Sequence, residues 1–113
     1  MSKVVFNADS IRKTVSISLP SVPGSAIEFY IDNVVGKERE LTNQYPNYQD
    51  KNHPDSFSFV MASLCGLVKA WNLTDAENSD IPVTEASKIF EQIPSPDIKY
   101  ILTELEKARK DTL

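Results

Sequence analysis

Two short runs of alternating residues, joined by a turn segment, constrain the fold of this chain most strongly. Within residues 14–19 and 27–32 every second side chain is apolar, which is the pattern of strands with one buried face. The segment between them contains two prolines and a glycine, residues that favour a turn. We therefore predict an antiparallel β-hairpin over residues 14–32, with residues 3–7 as a candidate third strand. Because an isolated hairpin is marginally stable in water, its apolar face has to pack on another element.

A second constraint is the apolar segment of residues 55–71, in which large side chains recur at three- and four-residue intervals: Phe57, Met61, Leu64, Val68 and Trp71. Between Phe57 and Trp71 the only charged residue is Lys69, so the pattern predicts a central helix over residues 55–71 that is buried on several sides. Asp55 or Ser56 is the expected N-cap. The segment is shorter than the ~20 apolar residues that a membrane span requires, and we expect no membrane association.

The C-terminal part of the sequence predicts two further helices, shorter than the central one, within residues 85–110. Thr84 is placed to cap the first, Pro94 ends it, and Ser95 is placed to cap the second. The second helix carries an apolar stripe that either packs on the rest of the domain or is left open for a partner: Ile98, Ile101, Leu102 and Leu105.

The remaining residues add little regular structure. Residues 36–41 are compatible with a short helix, and the polar residues 43–53 are predicted to form an exposed loop. The sequence thus predicts a single domain over residues 1–113. Its class is α+β, mostly α, with an N-terminal β-hairpin followed by a buried central helix and two shorter C-terminal helices.

Charge and cysteine content narrow the classes of function. Twelve basic and sixteen acidic residues give a net charge of −4, whereas phosphate binding requires clustered lysine and arginine. We therefore expect no nucleic-acid partner. A single cysteine cannot form an internal disulfide, and the apolar run after Met1 is too short for the core of a signal peptide. A cytoplasmic location is the resulting expectation.

The residues that could support catalysis or metal binding are few. His53 and Cys65 are the only histidine and cysteine, and neither has a second ligand at a recognisable spacing. The acidic residues 75–80 lack the central glycine and distal glutamate of a calcium loop. With three glycines in total and no nucleophile motif, we expect no enzymatic activity, no cofactor and no metal.

One part of the sequence resembles a known family. A helix that ends in Trp-Asn-Leu-Thr-Asp is followed by an acidic turn, then by Pro-Val-Thr and a short amphipathic helix. This order is similar to that of the tail assembly chaperones of long, non-contractile phage tails. The residues that carry the resemblance are Trp71, Asn72, Leu73, Asp75, Pro82 and Thr84. Residues 18–24 also look like the family's opening hairpin. Two features depart from the pattern: the acidic turn lacks the usual glycine, and residues 43–53 have no counterpart.

The resemblance implies a non-catalytic role in the cytoplasm of a bacterial host. Proteins of this family keep the long helical tape-measure protein soluble while tail tube subunits polymerise around it. The expected partner is therefore the tape-measure protein. The resemblance also leaves open contacts with the tail tube protein and weak self-association. Two alternatives stay open from the residues: a structural minor tail or head–tail connector protein, and a small host adaptor or regulatory domain.

Overall fold

The computed structural model describes residues 2–111. The strands are β1 (Thr14–Ile17), β2 (Ile27–Tyr30) and β3 (Val68–Trp71), and the α-helices are α1 (Val35–Gln44), α2 (Pro54–Leu67), α3 (Ala86–Glu91) and α4 (Ser95–Asp111). A 3₁₀ turn, Val83–Glu85, leads into α3. Among the residues described, helix far exceeds strand, and the α+β class predicted from the sequence is confirmed.

The hairpin predicted over residues 14–32 is present. β1 and β2 pair antiparallel, with Thr14 opposite Tyr30 and Ile17 opposite Ile27. The turn is closed by Ser25, whose hydroxyl accepts a hydrogen bond of 2.8 Å from the backbone N–H of Leu19. Alternation places the apolar side chains on one face because successive side chains of a strand point to opposite sides. Most of that face is buried in the core.

The third strand is β3 and not the N-terminal segment. β3 pairs antiparallel with β2, with Ile27 opposite Trp71, giving the sheet order β1-β2-β3. The prediction that the central helix continues to residue 71 was therefore wrong, as was a strand at residues 3–7. Hydrogen bonding to the open edge of β2 determines the conformation of Val68–Trp71, and a β-branched and an aromatic residue suit a strand. The helical periodicity of the sequence contains no information about this non-local pairing.

The central helix α2 begins at Pro54, one residue after its cap. His53 is the N-cap, and its Nδ1 accepts a hydrogen bond of 3.0 Å from the backbone N–H of Asp55, so the caps expected at Asp55 or Ser56 were wrong. Only Leu64 and Leu67 of α2 are fully buried. The prediction of a buried central helix is confirmed only in part, because one side of α2 packs on the core and the other faces solvent.

The C-terminal helices differ in length from the prediction. α3 has six residues, but α4 has seventeen and is longer than α2, which has fourteen. Thr84 lies inside the 3₁₀ turn, and no side-chain cap bond is made at the start of that turn or of α3. Ser95 is the first residue of α4 and not its cap, since the carbonyl of Pro94 accepts the N–H of Asp97 at 3.0 Å.

The segment before α2 makes more contacts with the rest of the fold than the predicted exposed loop would make. α1 extends to Gln44 and so takes the first two residues of the predicted loop 43–53. Residues 45–53 form turns without helix or strand. Tyr48 stacks on Phe59 of α2 with ring centroids 4.3 Å apart, and the N–H of Asn47 donates to the carboxylate of Asp55. These contacts hold the segment against the start of α2.

The core lies between the sheet and the helices. It combines apolar side chains from the hairpin, α2, α3 and α4: Ile17, Leu19, Ile27, Phe29, Leu64, Leu67, Ala86, Phe90, Ile101 and Leu105. Phe29 and Phe90 stack at its centre with centroids 6.3 Å apart. Within residues 2–111 no helix combines the length and apolar character needed to cross a membrane.

Candidate functional site

The residues of the Trp-Asn-Leu segment stabilise the fold. Asn72 follows β3, and its side chain joins the strand to the hairpin: Oδ1 accepts from the N–H of Ala26 at 2.8 Å, and Nδ2 donates to the carbonyl of Gly24 at 3.0 Å. The backbone N–H of Asn72 also donates to the carbonyl of Ala26. Gly24 has a φ of +82°, a conformation that favours glycine, so this amide fixes the turn at its most constrained residue.

Trp71 and Leu73 connect β3 to the segment that precedes α3. The indole N–H of Trp71 donates to the carbonyl of Ile81, and the indole ring meets Phe90 edge-on, with centroids 6.4 Å apart. The carbonyl of Leu73 accepts the N–H of Ile81 at 3.0 Å. Trp71 is thus half-buried against the core and is not an exposed binding aromatic.

The acidic turn is closed by its own first residue. Oδ1 of Asp75 accepts hydrogen bonds from the N–H groups of Glu77 at 2.8 Å and Ser79 at 3.0 Å. Asn78 takes a positive φ of 61°, a conformation that asparagine tolerates. The missing glycine is therefore compatible with a tight turn. Pro82 leads from this turn into the 3₁₀ turn, and Thr84 is exposed on the surface.

The apolar stripe predicted on α4 is divided between core and surface. Ile101 and Leu105 are 0% and 1% exposed and pack in the core, so their side chains are not accessible to a partner. Leu102 is 37% exposed, and Ile98 is half-buried. The division arises because α4 lies along the sheet with one face, and the stripe is wide enough to extend past that contact.

Ile98 and Leu102 form part of a groove that the sequence did not predict. The groove runs between α2 on one side and α3 with the first half of α4 on the other, is open to solvent, and has a volume of about 1080 Å³. Its apolar lining includes Phe57, Val60, Met61, Cys65, Ile93, Ile98 and Leu102. Phe57 is 70% exposed, an unusual state for a large aromatic side chain. We name this feature the α2–α4 groove.

A signal for the α2–α4 groove exists in the sequence. Nearly the whole circumference of α2 is apolar, and a chain of 113 residues has few elements with which to cover a helix from all sides. Part of that surface therefore has to remain accessible. An exposed apolar surface bounded by polar residues is typical of a site for a partner.

Cys65 and His53 both line the α2–α4 groove, but their environments do not suit nucleophilic catalysis. Burial raises the pKa of the Cys65 thiol, and the carboxylate of Glu91 raises it further. The thiol is therefore held in its neutral, poorly nucleophilic form. Nδ1 of His53 is occupied by the N–H of Asp55, and no hydrogen bond joins the imidazole to Cys65. Within residues 2–111 no three histidine, cysteine, aspartate or glutamate side chains converge as metal ligands.

The charged side chains around the α2–α4 groove are mainly basic. Lys37 from α1, Lys51 from the segment before α2, and Lys99 from α4 line it, together with Glu91 from α3. Lys37 pairs with Glu40 at 3.6 Å.

Comparison of the chain with protein-family models, with curated proteins and with solved structures finds no match in any of the three.

Proposed function

We propose that this chain is a non-catalytic protein-binding domain that accommodates a helical segment of another protein in the α2–α4 groove. In its specific form, the proposal is a tail assembly chaperone that binds the tape-measure protein in the host cytoplasm. The observation that carries it is the open apolar groove, in which Phe57 and Leu102 lie exposed on opposite walls. Binding an amphipathic helix in such a groove is a recurrent mode of protein recognition.

The dimensions of the groove support a helical occupant. Its volume of about 1080 Å³ equals two to three turns of a helix about 10 Å across. Small-molecule sites are usually more enclosed and direct a few buried polar groups at the ligand. The polar side chains that line this groove are mostly lysines and serines.

The chaperone role follows from what an unassembled tape-measure chain would expose. A long helical protein without its partners presents apolar stripes to solvent, and such stripes aggregate. A small acidic domain that covers two to three turns of one stripe would keep that part soluble, and several copies on one chain would act together through avidity. The resemblance around Trp71 and Asn72 supports this proposal, although the side chains of these two residues serve to stabilise the fold.

The test is co-expression with a helical fragment of the tape-measure protein that the proposal expects to be encoded beside this gene. We expect the fragment to move from the insoluble to the soluble fraction and to co-purify with the chain. The double variant Phe57→Ser/Leu102→Asp should lose this effect, because it removes the exposed apolar side chains from both walls. The matched control is Val35→Ser/Tyr100→Ser, at exposed apolar positions that do not line the groove. A fragment that stays equally insoluble with and without the chain would contradict the proposal.

A further inference from the structure

The charge of the α2–α4 groove is opposite in sign to that of the whole chain. Three lysines and one glutamate line the groove, whereas the chain carries sixteen acidic and twelve basic residues. Basic side chains that border an apolar surface attract acidic groups on a partner and orient it during the encounter.

Two of these lysines have no acidic partner among the residues that the structure describes. The ammonium groups of Lys51 and Lys99 make no ion pair within residues 2–111, whereas four of the chain's other lysines pair with a neighbouring glutamate: Lys37, Lys88, Lys107 and Lys110. Lys51 precedes α2 and Lys99 lies on α4, so the two approach the groove from different elements.

We infer that the occupant of the α2–α4 groove is an amphipathic helix whose apolar stripe is flanked by acidic residues. This inference rests on the proposed function and specifies the class of helix that is recognised. The apolar stripe would contact side chains such as Phe57 and Leu102, and carboxylates beside it would lie near Lys51 and Lys99. Pairing across the groove would then fix the orientation of the helix as well as its position.

A second copy of this chain fits the groove less well. Its most exposed apolar segment is residues 4–6, whose side chains are 77–92% exposed. That segment follows directly after Lys3 and carries no carboxylate of its own. The charge nearest to this segment, that of Lys3, would add to a groove that already has an excess of lysine.

The test uses three synthetic amphipathic peptides of about 18 residues, long enough for helix to form on binding. They share one leucine stripe and differ only in the residues that flank it, which are glutamate, glutamine or lysine. Their affinity for the full chain is measured by fluorescence anisotropy at low and high salt. Alkylation of Cys65, the single cysteine, reports occupancy because this side chain lines the groove.

We expect the glutamate-flanked peptide to bind roughly five-fold tighter than the glutamine-flanked one at low salt, and the lysine-flanked peptide to bind most weakly. The difference should shrink at high salt. The variant Lys51→Glu/Lys99→Glu should reverse the order. The control Lys3→Glu/Lys13→Glu, with the same change in net charge at exposed positions outside the groove, should keep it.

The outcomes separate this inference from the proposed function. Equal binding of all three peptides, with equal protection of Cys65, would leave helix binding intact and overturn the acidic preference. Tightest binding of the lysine-flanked peptide would also overturn it. Absence of binding by every peptide would overturn both. Dimerisation that protects Cys65 without any peptide would identify a second copy as the occupant and overturn the inference.

Discussion

Asp97 at the start of α4 accepts two hydrogen bonds from Ser21 in the hairpin turn. The backbone N–H of Ser21 donates to Oδ2 at 3.0 Å, and its hydroxyl donates to Oδ1 at 2.9 Å. The carboxylate is 3% exposed and also lies in the first turn of α4, where the helix dipole favours a negative charge. This pair joins elements 76 residues apart and fixes the position from which Ile98 and Leu102 enter the groove.

Loss of this carboxylate should destabilise the fold. We expect Asp97→Ala to lower the free energy of unfolding by about 2 kcal/mol, since two hydrogen bonds to a charged acceptor are lost. Ser21→Ala keeps the backbone donor and should cost about half as much. Urea denaturation measures both. The control is Glu106→Ala, an exposed position on the same helix. Equal midpoints for Asp97→Ala and Glu106→Ala would contradict the structural role of Asp97.

Adjacent residues of α4 should respond differently to the same substitution. Leu102→Asp is expected to leave a folded protein that no longer binds a helix, because Leu102 is exposed in the groove. Ile101→Asp places a carboxylate at a fully buried position and should unfold the chain or destabilise it by more than about 3 kcal/mol. Circular dichroism and peptide binding distinguish the two effects. An unfolded Leu102→Asp variant would show that this side chain belongs to the core.

The side-chain amide of Asn72 should stabilise the sheet. Asn72→Ala removes the hydrogen bonds to Ala26 and Gly24, and we expect a loss of about 1–2 kcal/mol. The control Asn52→Ala changes a residue whose side chain makes no hydrogen bond within residues 2–111. Thermal denaturation of the two variants gives the comparison. If Asn72→Ala and Asn52→Ala have the same melting temperature, the amide does not hold β3 to the hairpin.

The reactivity of Cys65 should depend on pH in a specific direction. Burial and the charge of Glu91 raise the pKa of this thiol, so the thiolate forms only at a higher pH than in a free cysteine. The rate of alkylation by iodoacetamide should accordingly reach its midpoint at a higher pH than the rate for an unstructured cysteine peptide. Glu91→Gln removes one of the raising influences and should lower that midpoint. An unchanged midpoint would show that Glu91 does not act on the thiol.

Local patterns in the sequence predict local features of the fold. The hairpin is recovered because alternation depends only on neighbouring residues, and the turn residues lie between the two runs. The spacing of Glu106 and Lys110 predicts the ion pair that the structure has at 3.5 Å. Pro94 marks the interruption between α3 and α4 because proline does not continue a helix.

Features that depend on distant partners were not predicted. Val68 and Trp71 fit the helical periodicity of α2, but pairing with β2 draws them into a strand. Periodicity identifies an apolar face without identifying its neighbour. For this reason the sequence could not separate the core residue Ile101 from the groove residue Leu102, and the groove became visible only with α2, α3 and α4 in place.

The most direct test of helix binding in the α2–α4 groove is chemical-shift mapping of the ¹⁵N-labelled chain with a helical fragment of the tape-measure protein that the proposed function expects to be encoded beside this gene. We expect the largest shifts at residues lining the α2–α4 groove, among them Phe57, Cys65 and Leu102, with little change in the hairpin turn at residues 20–25. The absence of shifts at a saturating concentration of the fragment would contradict the claim that this groove is the binding site. Shifts confined to the opposite side of the sheet would also contradict it.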